Sequence, residues 1–186
     1  MIQVRVQAED FSVEAEYQRL RQAHSEAGAV AVFVGLVRDR NLGTTVSQLH
    51  LEHYPGMTER TIEQFAETAA QRWPVLDITI IHRVGTLSVQ DQIVFVGVSG
   101  EHRAAAFEVC DYLMDYLKSQ APLWKKERCK KTFCKKESGQ KEHRGSTDCR
   151  AEETEADSWE ERWIEPVEKD QLSLQRWNNA ASADKV

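Results

Sequence analysis

The chain is predicted to fold as a single α+β domain, with a mixed or antiparallel sheet covered by packed helices. Three observations lead there. Its 186 residues, 41% of them hydrophobic, are enough for one ordinary domain with a real core. Short runs with strand-like alternation fall in adjacent pairs, and two long stretches with helical apolar spacing separate those pairs.

Taken in order, Gln3 to Val6 alternates as a strand, and Ser12 is placed to cap a short helix whose Val13, Tyr17 and Leu20 share one face. The run Gly28 to Val37 is apolar, β-branched and bounded by glycine, which reads as a buried strand. Arg38 to Gly43 is a polar loop, after which Val46 to His53 alternates again. Ile62, Phe65, Ala66, Ala69 and Trp73 follow helical spacing, so a helix is expected from about Thr58 to Trp73. Ile78 to Val84 and Gln92 to Val98 read as two strands separated by a turn near Gly85. A last clear helix runs from about Glu101 to Lys118, with Phe107, Cys110, Met114 and Leu117 directed inward.

The segment Asp115 to Glu127 carries the most chemistry. Pro122 stops the helix, so Lys118 falls in its last turn, and Trp124 is expected to anchor the following turn and hold Lys125. A crowded lysine there can act as base or nucleophile, whereas an exposed one is a solvated charge. After Glu127 the composition changes. Residues 128–157 hold Phe133 and almost no other sizeable apolar side chain, lysine-rich first and acidic later, which reads as a flexible hydrophilic insertion. The domain is thus expected over residues 1–127, to resume over 158–178 with Trp159, Trp163, Ile164, Leu172, Leu174 and Trp177, and to end in a disordered tail over 179–186.

Other constellations carry weaker signals. His102 and Arg103 follow Gly100 at a helix start, where unpaired N–H groups favour a phosphate; a plain surface pair is an equal reading. Arg38 and Arg40 sit in the loop after a strand, a common place for ligand contacts. His53 lies at a turn and reads as a structural hydrogen-bonding group. Cys110 reads as a small core residue, and Cys129, Cys134, His143 and Cys149 match no familiar zinc spacing. Four cysteines without a paired C-x-x-C fit a reducing compartment. A net charge of -6 argues against general nucleic-acid binding, although the basic run Lys125 to Lys136 is compatible with RNA. No apolar run reaches membrane-spanning length, and Met1 to Val6 begins like a strand and not like a signal peptide, so a cytoplasmic protein is expected.

Read together, Gly28 to Val30, Phe33 to Arg38, Asn41-Leu42-Gly43, Leu51 to Glu59, His82 to Gly85, His102-Arg103 with Ala106-Phe107, and Met114 to Glu127 resemble the large, catalytic subunit of molybdopterin synthase. The likeness resumes from Arg162-Trp163-Ile164-Glu165 to Arg176-Trp177, and residues 128–157 stand where the family has a short turn. The resemblance implies an α/β-hammerhead-like fold and a sulfurtransferase of molybdenum cofactor biosynthesis. Its substrate would be cyclic pyranopterin monophosphate, converted to the molybdopterin dithiolene. The sulfur would come from the C-terminal Gly-Gly thiocarboxylate of a small ubiquitin-like subunit, within a heterotetramer built on a homodimer of large subunits. By the same resemblance Lys118 and Lys125 are catalytic, Arg38, His102, Arg103 and Lys125 meet the substrate, and Phe33 and Met114 form apolar walls. No metal or organic cofactor is implied, nor a nucleic acid or membrane partner. The alternative class is a noncatalytic module that only binds a ubiquitin-like tail.

Geometry adds one expectation. A continuous helix rises 1.5 Å per residue, so His102 and Lys118 stand roughly 24 Å apart in one chain. A two-fold dimer can bring the helix start of one subunit beside the helix end of its mate. The expected site is therefore composite, with Arg38, Lys118 and Lys125 from one chain and His102 and Arg103 from the other.

Overall fold

The computed structural model describes residues 1–41, 43–130, 159–164 and 172–177. In chain order the elements are β1 (Ile2–Gln7), α1 (Val13–Ala23), β2 (Ala29–Leu36), β3 (Arg40–Asn41), β4 (Thr44–His53) and α2 (Met57–Arg72). They continue with β5 (Asp77–Arg83), β6 (Gly85–Ser88), β7 (Gln92–Gly100), α3 (Arg103–Ser119), β8 (Leu123–Lys130) and β9 (Trp159–Ile164), and residues 172–177 form a short helix. The predicted α+β class holds. A four-stranded sheet runs β1-β5-β7-β2, with β1 and β5 parallel and the other pairs antiparallel. A second, antiparallel sheet runs β3-β4-β8-β9, and β6 pairs with β4.

The first sheet is buried on both sides, and strand alternation sorts its residues between two cores. Ile78, Ile80, Val96 and Val98 pack with Ile62, Ala66 and Ala69 of α2 and with Ala106, Val109, Leu113 and Leu117 of α3. Ile81 and Phe95 face the other way, toward Phe11 and Leu20 beside α1. Ser12 caps α1 as its sequence position suggests, accepting from the Ala15 N–H. The second sheet contributes a smaller core of Leu49, Leu51 and Leu87 with Val37.

Several expectations require correction. Phe107 is 66% exposed, because the buried stripe of α3 passes through Ala106, Cys110, Leu113 and Leu117 and leaves Phe107 beside it. Tyr17 on α1 is exposed as well, and so are Val32, Phe33 and Leu36, since β2 is an edge strand and not a fully covered one. The stretch after Gly85 is the strand β6, paired through Gly85 with Leu51, where a simple turn was expected. The residues after Pro122 are also a strand, and β8 continues to Lys130 beyond the composition change at Glu127. The remainder of the expected insertion, residues 131–157, and the expected tail over 179–186 lie outside the described residues.

Near the C-terminus, Leu174 is buried, Leu172 is exposed, and Trp177 packs edge-on against Trp73 and Tyr112. Trp177 also donates through Nε1 to Asp115 at 2.8 Å, which ties this segment to α3. Among the described residues no helix is long and apolar enough to cross a membrane.

Two glycines set how closely the layers approach. A Cβ on Gly97 would fall 2.5 Å from Leu20 Cδ1, so α1 rests directly on the β7 backbone. A Cβ on Gly28 would fall 2.3 Å from the Glu101 carbonyl oxygen, in the turn that leads from β7 into α3. The Gly28 N–H donates to the Gly100 carbonyl at 3.1 Å across the same contact. Backbone cannot rotate aside as a side chain can, so Gly28→Ala should destabilise the fold by about 1–3 kcal/mol. Urea unfolding checks this; an unchanged midpoint would show that the turn has slack.

Candidate active site

The start of α3 is fixed at one end of the first sheet and its end at the other. The helix begins just after β7 and runs back along it; halfway, the Cys110 thiol approaches the Val96 carbonyl at 3.9 Å. Burial pushes that thiol up to about 11, so Cys110 is an inert core group at neutral pH. From Cys110 two further turns bring Lys118 level with the start of β7, roughly 12 Å along the axis. There Gln92 pairs with Leu36 at the end of β2, and Arg38 follows two residues later. Lys118 and Arg38 are both exposed and stand at the same end of the sheet. His102, the N-cap of α3, and Arg103, its first residue, are exposed at the opposite end, where Gly100 pairs with Ala29.

The exit from α3 is pinned. Gln120 caps the helix by donating its N–H to the Tyr116 carbonyl at 2.8 Å, and the chain turns through Ala121 and Pro122 into β8. Fully buried Thr58 donates its hydroxyl to the Pro122 carbonyl and accepts from the Tyr54 N–H, both at 3.1 Å. That threonine locks the turn to the start of α2, and its position in a largely polar helix start gave no signal of the role. Alternation along β8 then turns Lys125, Glu127 and Cys129 inward, opposite Leu51, Leu49 and Val46. Trp124 is consequently half exposed and does not act as the buried anchor expected for Lys125; the strand itself holds that lysine.

Glu127 is buried and links three strands. It accepts from Asn41 Nδ2 at 2.8 Å and from Arg162 Nη2 at 3.3 Å, which ties β3 and β9 to the strand carrying Lys125. The loop that carries Arg38 is closed by the Val46 N–H donating to the Asp39 carbonyl at 2.8 Å. Phe33 lies on the α3-facing side of β2 with Ala29 and Ala31, and is 40% exposed. Met114 is half-buried one helical turn before Lys118, which puts both on one side of α3. The topology thus puts Arg38 and Lys118 toward one end of the first sheet, with Lys125 on the strand that follows the α3 exit and Met114 on the Lys118 side of α3; Phe33 pairs with Val96 at mid-strand, and His102 and Arg103 stand at the other end.

His82 opens one of the segments that carry the family resemblance, but no role was expected of it from the sequence. It follows Ile78 and Ile80 on the helix-facing side of β5 and is 5% exposed. Burial first, and then the positive charges of Lys125 and His53, draw its pKa down to about 4, against a partial opposing effect of its hydrogen bond to the Arg83 carbonyl. Elsewhere, a shallow hollow on the outer face of the second sheet is lined by Gln48, His50, Thr86, Lys126, Arg128 and Glu161. Lys126 and Glu161 pair there at 2.9 Å, on the side of β8 away from Lys125. Of the cysteine and histidine residues considered for zinc, Cys129 is buried and donates to the Glu160 carbonyl at 3.7 Å, while Cys134, His143 and Cys149 lie outside the described residues.

A mixed sheet under helices, with cations gathered at one of its ends, defines a class of α+β protein suited to meeting anions. The family model described as MoaE protein matches residues 6–120. The molybdopterin synthase catalytic subunit of Vibrio cholerae is 47% identical over 174 residues, covering 94% of this chain and 97% of that protein. The molybdopterin cofactor biosynthesis protein E of Burkholderia multivorans superposes with a TM-score of 0.69 at 41% identity, covering 96% of this chain and 97% of that one. The molybdopterin synthase of Staphylococcus aureus superposes with a TM-score of 0.61 at 31% identity, over 66% of this chain and 88% of that one. The chain belongs to the MoaE family of molybdopterin synthase catalytic subunits.

The state of His82 has a measurable consequence. Between pH 6.5 and about 4 the unfolded chain takes up a proton at this residue that the native one refuses, so stability is present above that window and falls as pH drops through it. The loss should approach about 3 kcal/mol. Urea unfolding of the wild type and His82→Gln across that window should show a flatter pH dependence for the variant. Parallel curves would contradict a buried neutral imidazole.

Proposed function

We propose that Lys118 and Lys125 are the catalytic residues of this sulfurtransferase and that Arg38 shares their site. In this reading the thiocarboxylate tail of a small ubiquitin-like subunit enters between them. Its sulfur passes to cyclic pyranopterin monophosphate, and two such transfers build the molybdopterin dithiolene. The observation that supports this reading is that the α3 end carrying Lys118 and the loop carrying Arg38 fall at the same end of the first sheet, with Lys125 on the strand that leaves α3. An acyl thiocarboxylate and a phosphate are both anionic, and groups leaving the pterin need protons. Ammonium groups supply both needs, since each offers positive charge and three donors. Guanidinium groups suit the phosphate, which they bind through paired donors.

His102 and Arg103 complete the site from a second copy of the chain. Their separation from Lys118 along an unbroken α3 supports this, because no small pterin spans roughly 24 Å. The assembly is then a homodimer of large subunits with a small subunit at each end, working in the cytoplasm. Phe33 and Met114 supply apolar wall beside the pterin ring.

The direct test supplies thiocarboxylated small subunit and the pterin precursor and measures dithiolene product. Lys118→Ala should reduce turnover by at least about 100-fold while leaving melting temperature and dimerisation unchanged, since the side chain is exposed. Lys125→Ala should slow turnover with a larger effect on KM. Near-normal sulfur transfer by Lys118→Ala would remove that residue from the mechanism, and binding of the small subunit without any product from the wild type would favour a noncatalytic tail-binding module.

A further inference from the structure

The short helix over residues 172–177 meets α3 one turn before Lys118. Arg176 donates to Asp115 Oδ2 from Nε at 3.1 Å and from Nη2 at 2.6 Å, and the same Nη2 lies 2.7 Å from Asp111 Oδ2. Trp177 adds a third donor to Asp115 Oδ2, its Nε1 at 2.8 Å. Both donors are themselves seated. Trp177 packs edge-on against Trp73 and Tyr112, its carbonyl accepts from Arg72 Nη1 at 3.0 Å, and the Arg176 guanidinium lies 4.4 Å from the centre of the Trp177 ring. The Asp115 side chain is 15% exposed under this cover, against 57% for Asp111.

Asp115 stands three positions before Lys118 on α3, and side chains so spaced are neighbours on a helix surface. An acid three residues ahead of a lysine is an arrangement that forms an ion pair. Here it does not. Among the described residues no ion pair joins Lys118 to Asp115 or to any other acid, because the carboxylate is engaged on its other side by Arg176 and Trp177.

We propose that Arg176 and Trp177 are positioning residues for sulfur transfer: by holding the Asp115 carboxylate they keep it from pairing with Lys118 and leave that ammonium to the incoming thiocarboxylate. An ammonium paired with Asp115 has its charge opposed and one of its three donors taken, so its pull on a second anion is weaker. The inference rests on the role given to Lys118 above.

A rescue experiment separates this role from a structural one. With thiocarboxylated small subunit and pterin precursor, Arg176→Ala should lower turnover about two- to sixfold, the range over which an exposed ion pair withholds a lysine. Adding Asp115→Asn removes the competing charge, so the double variant should recover most of the lost rate. A clasp that only holds the fold predicts the opposite order, since Asp115→Asn strips a further partner from the C-terminal helix. Unchanged turnover of Arg176→Ala would overturn the proposal. So would a double variant no faster than Arg176→Ala, or turnover that follows melting temperature across both variants. Full activity of Lys118→Ala would instead refute the role of that lysine, and the positioning role with it.

Discussion

The length of α3 constrains every other feature of the site. Arg103–Ser119 is one unbroken helix, with no glycine or proline in its interior to bend it. Its buried stripe, from Ala106 through Cys110 and Leu113 to Leu117, lies along β7, so the helix cannot slide without losing that packing. Gly28 against Glu101 sets where it starts, and Gln120 with the Thr58-bound Pro122 turn sets where it stops. A rigid spacer results. His102 and Arg103 stand at one end and Lys118 with Arg38 at the other, roughly 24 Å apart along the helix axis.

The second sheet acts on that spacer by delivering Lys125 to its C-terminal end. Here the chemistry depends on strand alternation. Because Leu51, Leu49 and Val46 point inward, their partners Lys125, Glu127 and Cys129 must point inward also. Charged side chains in such places need partners. Glu127 has Asn41 and Arg162. The same alternation turns Trp124, Lys126 and Arg128 outward, so neighbouring basic residues on one strand divide between the site and an unrelated surface.

Much of this was legible in the sequence, for physical reasons that differ by element. Helices α2 and α3 announced themselves through apolar spacing, and β5 and β7 through β-branched runs between turn residues. The family resemblance singled out Lys118, Lys125 and Arg38, and the topology brings those three to one end. What escaped was whatever depends on tertiary partners. β8 reads as a charged turn because its inward face is Lys, Glu and Cys instead of aliphatic. β6 is only four residues long and takes its identity from pairing with β4. Phe107 looks like core by type, yet a difference of one position in helical phase leaves it in solvent. Thr58 in a polar helix start and His82 in a strand are ordinary letters there, and only their buried hydrogen bonds reveal what they hold.

A site divided between two copies of the chain is the central claim, and trans-complementation tests it most directly. An inactive Lys118→Ala chain is mixed with an inactive Arg103→Ala chain under conditions that exchange subunits, and dithiolene formation is measured on samples shown to contain heterodimers. Each heterodimer then holds one site with every residue intact, so a substantial part of the activity of one site should return. Heterodimers as inactive as either parent would contradict a divided site and place all five residues of each site within one subunit.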